Sequence, residues 1–306
     1  MRSASSALRT LSVVLLAVAA SVLVSWLVVG RGTHQATGVE ISSTYERVMR
    51  SRTLRAAYIS YPPSSIVDTE TGELSGIFID LLREISRKLD LTLEFTEEVG
   101  WGTMIQGLDA KRYDIIGNAV WANPVRGKIA TLSRPIYFSG VGVWVRSDEA
   151  RFSSAENWAS INQPSIKLVA MDGSTPEVIA HEQFPDAELI TYPDLTGEPQ
   201  IFLDIVGRKA DVFFAEPAVA MDFLANNPGT IKNLAAEQPI RLFANVYVMR
   251  QHEPQLKQMI DVAAADLLSN GFVERLLQQY EPGPGAFYRV ARPFSVPTSV
   301  AETSPQ

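Results

Sequence analysis

Four groups of residues have the types and spacing to grip a small charged molecule. The first centres on Arg126, in the stretch Y-D-I-I-G-N-A-V-W-A-N-P-V-R-G-K from Tyr113 to Lys128. An apolar run, Ile115 and Ile116, leads through Gly117 and Asn118 to Asn123-Pro124, a cap-plus-proline pair that predicts a helix start. Arg126 falls in that helix's first turn, where the partial positive charge of the helix end disfavours a cation. A guanidinium beside free backbone N–H groups suits a carboxylate. The plainer alternative is a solvated surface arginine.

The second group is Gly173-Ser174-Thr175-Pro176-Glu177, after a strand expected over Ile166 to Met171. Ser174 with Glu177 fits a capping box and Pro176 suits a first helical turn. A helix start after a parallel strand presents N–H groups and hydroxyls to an anion, although for this segment alone an ordinary cap is the favoured reading. The third is Phe213-Phe214-Ala215-Glu216-Pro217, where Glu216 ends a strand that begins at Asp211. A carboxylate there suits an ammonium group; an edge-of-sheet surface glutamate is the alternative. The fourth is the aromatic set Tyr61, Trp101 and Trp121, each beside a turn or strand end, where core packing competes with ligand contact. Together the four supply a cation for a carboxylate, an anion for an amine, and aromatic walls. An amino-acid-like zwitterion needs those features.

The elements that must position these groups alternate between strand and helix. Leu54 to Ser60 reads as a strand, followed by the turn Tyr61-Pro62-Pro63-Ser64. Phe78, Leu81, Leu82, Ile85 and Leu89 fall at helical spacing, and Leu91, Leu93 and Phe95 alternate with polar residues as in a strand. Met104, Ile105 and Leu108 make a short helical face. Such a rhythm predicts a largely parallel sheet with ligands at the carboxyl ends of strands. Lys111-Arg112-Tyr113-Asp114-Ile115 is echoed in type by Arg208-Lys209-Ala210-Asp211-Val212. The echo fits two lobes built on one plan. Two uninterrupted strands, Gly140 to Arg146 and Phe243 to Met249, would carry the chain out of the first lobe and back. Leu256, Met259, Ile260, Ala263 and Leu267 keep helical period up to a stop at Gly271, and Phe272, Leu276 and Leu277 continue in a second helix.

Composition narrows the function. With 306 residues, 46% of them hydrophobic, the chain can build one large or two medium domains. The 27 basic and 34 acidic residues give a formal net charge of −7, which argues against nucleic acid. No cysteine is present, which excludes disulfides, thiol catalysis and lipid attachment to cysteine. His34, His181 and His252 have no metal-ligand spacing, and no metal or cofactor is expected. A nucleophile elbow, a P-loop, a dinucleotide fingerprint and a zinc-protease motif are all missing. Asp80 and Asp114 are explained by helix-start and strand-start roles.

Arg2 and Arg9 precede an uncharged run from Leu11 to Gly30, about long enough to cross a bilayer. Ala17-Val18-Ala19 offers a signal-peptide cleavage site, but cutting there would leave an apolar segment on the mature chain. An uncleaved anchor with the body exported is the favoured expectation. The expected organisation is a signal peptide or anchor over 1–30 and a linker over 31–50. A first lobe follows from 51–140 and 247–290, a second from 141–246, and a disordered proline-rich tail over 291–306.

The order of these motifs resembles the family 3 bacterial extracellular solute-binding proteins, the polar amino-acid receptors of ABC importers. The segment Y-P-P with V-D-T-E-T-G-E-L-S-G-I-F-I-D-L is similar to the family's opening strand, turn and helix. A-K-R-Y-D-I-I-G-N-A-V-W-A-N-P-V-R resembles its "G-K-Y-D…T-P-E-R" signature, D-G-S-T-P-E its "G-T-T" helix start, and G-R-K-A-D-V-F-F-A-E its "G-R-x-D-A-x-x-x-D" run. The resemblance implies an α/β, two-lobed periplasmic-binding-protein fold of type II with two crossover strands, here preceded by an N-terminal apolar helix. It implies that Arg126 clamps the ligand carboxylate, helped by Ser174 and Thr175. Glu216 would take the α-amine, and Tyr61 and Trp101 would wall the side chain. It further implies a periplasmic monomer that closes by hinge motion and passes its solute to an ABC permease in the inner membrane.

Four positions depart from the pattern. Trp121 replaces a small hydroxyl residue, so a smaller or reoriented pocket is expected. Ala119 stands at a usual glycine or serine, Glu216 is one methylene longer than the usual aspartate, and Ser64 lacks a frequent aromatic. Two other functions compete with solute capture: a periplasmic dehydratase resembling cyclohexadienyl dehydratases, with Glu216 as its acid, and a membrane-tethered sensor.

Overall fold

The computed structural model describes residues 43–152, 158–193, 195–283 and 286–290. The apolar N-terminal run and the tail expected over 291–306 lie outside the described residues. Near its start, α1 (Thr44–Ser51) is a helix within the stretch expected as a linker. Only Thr44 and Val48 of it are buried. So short an apolar face leaves no readable period, and the helix is fixed instead by Thr44, whose N–H and hydroxyl both donate to Glu253.

The first lobe runs β1 (Thr53–Tyr58), the small hairpin β2 (Ile66–Val67) and β3 (Leu74–Ser75), α2 (Ile77–Lys88), β4 (Thr92–Glu98), α3 (Met104–Asp109), β5 (Ile115–Trp121), α4 (Pro124–Ile129) and β6 (Ala130–Leu132). β1 lies between β4 and β5, parallel to both. The helical stripe expected on α2 is real: Phe78, Leu81, Leu82 and Ile85 are fully buried. Burying each such side chain contributes about 2 kcal/mol. β5 is buried along its whole length, which is why it reads as an apolar run rather than an alternation.

β7 (Tyr137–Arg146) then leaves the first lobe. Its first half pairs antiparallel with β12 (Arg241–Arg250), and its second half with β10 (Val212–Ala215). The second lobe contains β8 (Lys167–Met171), α5 (Thr175–Gln183), β9 (Glu188–Tyr192), α6 (Glu198–Val206), β10, α7 (Pro217–Asn226) and β11 (Ile231–Asn233). Here β8 lies between β10 and β9, parallel to both. β12 returns the chain against β5. It is followed by α8 (Pro254–Ser269), α9 (Phe272–Tyr280) and β13 (Phe287–Arg289), with Gly271 in the left-handed region separating the two helices. β13 pairs with Tyr137–Ser139 of β7, and the Phe287 ring packs 4.8 Å from that of Tyr137. The start of the proline-rich region therefore carries a strand. The strand order β4-β1-β5-β12-β7-β10-β8-β9 has β12 and β7 at its middle, as expected of two α/β lobes joined by two crossover strands.

The echo between Asp114 and Asp211 has one structural meaning. Asp114 N–H donates to the Arg55 carbonyl, and its carboxylate accepts the Arg55 N–H at 2.8 Å. Asp211 repeats both bonds with Lys167. Each aspartate thus docks the strand that follows it onto the first strand of its lobe. Arg47 and Arg55 surround Asp114, and Arg151 pairs with Asp211. Because Asp114 is 1% exposed, removing its carboxylate leaves two guanidinium groups and a backbone N–H without their acceptor. Asp114→Ala is expected to lower unfolding free energy by about 3 kcal/mol, read from urea melts. A loss below about 1 kcal/mol would show that solvent replaces those bonds.

Candidate functional site

The carboxyl ends of five strands converge on the space between the lobes, which is where open α/β sheets hold ligands. Tyr61 follows β1, Trp101 follows β4, and Trp121 is the last residue of β5. From the second lobe, Gly173 to Thr175 follow β8 and Glu216 follows β10. A cavity of about 30 Å³ lies here, room for a water or two. Tyr61, Trp101, Ala119, Trp121, Arg126, Ser174 and Thr175 all line it.

Arg126 enters from α4. The expected cap forms, the Asn123 side chain accepting the Arg126 N–H at 2.9 Å. The side chain then turns back to the end of β5. Its Nη1 donates to the Trp121 carbonyl at 2.9 Å and to Thr175 Oγ1 at 3.0 Å, and its Nη2 donates to the Gly173 carbonyl at 3.4 Å. The guanidinium carbon stands 5.9 Å from the Trp101 ring centre. Arg126 is 6% exposed, so it is not a solvated surface residue, and burial alone lowers its pKa to about 10. It therefore remains charged at neutral pH. Among the described residues Arg126 forms no ion pair, and its hydrogen-bond acceptors are neutral oxygens, with the Trp101 ring beside it.

The helix start at α5 departs from the expected capping box. Glu177 accepts the N–H of Gly173 at 2.7 Å rather than that of Ser174. Ser174 makes no side-chain cap bond, and its buried Oγ has no hydrogen-bond partner among the described residues. The hydroxyl is left facing the cavity beside Arg126. Gly173 has φ +72°, and a Cβ there would lie 2.5 Å from the Cα of Gly102. Glycine at this position is what lets the second lobe approach the first so closely.

Glu216 sits behind the cavity wall. Its Oε1 accepts the Trp121 indole N–H at 2.8 Å and the Tyr61 hydroxyl at 3.3 Å. Ser139, on the crossing strand β7, supports the same carboxylate. The Trp121 ring stacks on Phe243 of β12, centres 5.0 Å apart and planes 9° apart. Tyr61 also packs edge-on against Trp101 at 5.3 Å. The small cavity accords with the indole occupying the space a small hydroxyl residue would leave free.

One buried acid of the cavity wall was not among the candidates. Glu198, in the first turn of α6, is 6% exposed and lines the same space. Its sequence context, Gly197-Glu198-Pro199, reads as an ordinary acidic helix start, and burial is what distinguishes it. Among the described residues no group of histidines and acids could hold a metal ion.

Burial pushes the Glu216 carboxyl up to about 7, partly offset by its hydrogen bonds to Ser139, Trp121 and Tyr61. Burial also pushes Glu198 up to about 7, offset by its own backbone N–H and reinforced by the charge of Glu216. Between the ordinary value of 4.5 and about 7 the native state holds protons that the unfolded chain has lost. Stability must therefore fall as pH rises through that window, by about 1.4 kcal/mol per pH unit for each group. Glu149, held near 2 by hydrogen bonds from Arg151, titrates below the window. The melting temperature is expected to be higher at pH 5 than at pH 8, with a flatter profile in Glu216→Gln. A melting temperature that rises over this interval in the unaltered protein would refute the assignment.

The model of the bacterial extracellular solute-binding proteins, family 3, matches residues 54–282. A probable amino-acid ABC transporter-binding protein of Haemophilus influenzae is 32% identical over 113 residues, 37% of this chain and 43% of that protein. Cyclohexadienyl dehydratase of Pseudomonas aeruginosa is 28% identical over 176 residues, 57% of this chain and 63% of that protein. The matched region thus spans only about half the length of these two relatives. Among solved structures, an ancestral amino acid-binding protein, a precursor of cyclohexadienyl dehydratase, aligns with a TM-score of 0.67 at 23% identity. The alignment covers 78% of this chain and 99% of that one, a likeness of fold. With the family match covering most of the chain and the fold agreeing with it, the protein belongs to the family 3 bacterial extracellular solute-binding proteins.

Proposed function

We propose that the protein captures a small carboxylated, amine-bearing solute of the amino-acid kind between its lobes and delivers it to an ABC permease in the inner membrane. The observation that carries this reading is Arg126, a buried cation whose protein partners are all neutral. Leaving a charge so placed costs several kcal/mol unless an anion shares the site. A carboxylate supplies the missing charge, accepts from the guanidinium, and can take the Ser174 hydroxyl and the Thr175 side chain as further partners.

A dehydratase is the second reading. It is favoured by two buried carboxyl groups near the cavity with pKa values of about 7, suited to giving up a proton at neutral pH. Calorimetry with amino acids and organic acids separates the two. Solute capture predicts binding without turnover, weakened at least about a hundredfold in Arg126→Met. Prephenate consumption lost in Glu216→Gln would favour the enzyme, and no binding of any small carboxylate would sink the capture reading.

We further place the body outside the inner membrane, held there by the uncleaved apolar run from Leu11 to Gly30. Mass spectrometry of membrane fractions is expected to find peptides from the first 20 residues still attached. A mature protein starting near residues 20–35 would remove the tether and leave export intact.

A further inference from the structure

Resting on the carboxylate reading of Arg126, we propose that Glu198 receives the ammonium group of the solute and that Glu216 acts as an internal latch between the lobes. Glu216 is the acid at the position expected for amine binding, yet its carboxylate is already engaged. One of its oxygens accepts from both the Trp121 indole and the Tyr61 hydroxyl, and Ser139 supports it from the crossing strand. These donors come from the first lobe and from the strand joining the lobes. The bonds therefore link the two lobes directly.

Glu198 has the opposite character. It lines the cavity that Arg126, Ser174 and Thr175 also line, whereas Glu216 does not. More than nine-tenths of it is buried. Among the described residues its carboxylate has a single hydrogen-bonding partner, its own backbone N–H. An ordinary acidic residue at a helix start stays in water, where the helix dipole favours it at no desolvation cost. A buried carboxylate with most of its lone pairs free needs a cation or several donors. An ammonium group supplies three N–H donors and one positive charge. With Arg126 as the other pole, the charged groups lining the cavity then complement the two charges of a zwitterion. Tyr61 lines the cavity with Glu198, and Glu216 behind the wall is already engaged, which leaves Glu198 the free acid of the site.

The test is calorimetry at pH 8 with the proteinogenic L-amino acids and, for each that binds, the same carbon skeleton without its amine. The unaltered protein is expected to prefer the amine-bearing form at least tenfold. Glu198→Gln should lose that preference while still binding the deaminated acid, and Glu216→Gln should keep it. Should Glu198→Gln fail to fold by circular dichroism, Glu198→Asp is read instead. The one-methylene retreat should weaken the amine-bearing ligand at least fivefold and leave the deaminated acid unchanged. Amine preference intact in Glu198→Gln, or in Glu198→Asp where that variant is read, overturns the proposal. So does its loss in Glu216→Gln alone. Arg126-dependent binding of carboxylates with no amine preference overturns this proposal and spares the capture reading, whereas no binding of any carboxylate overturns both.

Discussion

The buried guanidinium of Arg126 is the constraint around which the site is arranged. Desolvating a cation is among the costliest things a fold can do, and here the protein returns only three neutral oxygens and an aromatic face. Each partner is itself fixed by backbone architecture. The Trp121 carbonyl ends β5, the Gly173 carbonyl lies in the loop after β8, and Thr175 opens α5. A carboxylate brought between these elements would complete the charge balance while touching both lobes at once. The geometry thus joins the chemistry of recognition to the approach of the lobes.

That geometry rests on two copies of one device. Asp114 and Asp211 each exchange two backbone-directed bonds with the first strand of their own lobe. Both stand at the amino end of their strand, opposite the end that carries Trp121 or Glu216. Fixing register at one end determines which side chains arrive at the other. β7 and β12 then connect the lobes, and Ser139 and Phe243 on those strands touch Glu216 and Trp121. Contacts in the cleft and contacts along the crossing strands are therefore parts of one packed unit.

Much of this was legible in the sequence because it is local. The Asn123-Pro124 cap, the apolar stripe of α2 and the paired aspartate motifs are read from neighbours a few residues away. Arg126 stood out because it breaks a local electrostatic rule, and such conflicts concentrate at functional sites. Glu198 obeys the same rule. An acid in a first helical turn calls for no explanation until tertiary packing takes it out of water. The capping box at Ser174 also does not form: Glu177 reaches one residue further back, to Gly173, and the Ser174 hydroxyl makes no cap bond. Helix α1 and strand β13 bury too few residues to show a period, and long-range bonds to Glu253 and to β7 define them.

Two departures from the family pattern, Trp121 for a small hydroxyl residue and Glu216 for aspartate, are physically one. A buried indole N–H must find an acceptor, and the extra methylene of glutamate extends the carboxylate toward it across the lobe boundary. The resulting bond, together with that from Tyr61, gives the lobes an attraction of their own. A ligand shifts a conformational equilibrium only by its differential affinity for the two states. Where the protein already stabilises the approach of its lobes, less of the bound solute's interaction is needed for closure and more remains as affinity. The same bonds occupy Glu216 and leave a cavity of about 30 Å³, so a solute of the proposed kind would have to separate Trp121 from the opposing wall to enter. On the proposed reading, selection then falls on the charges that line the remaining space, Arg126 and Glu198, rather than on the acid the family position would suggest.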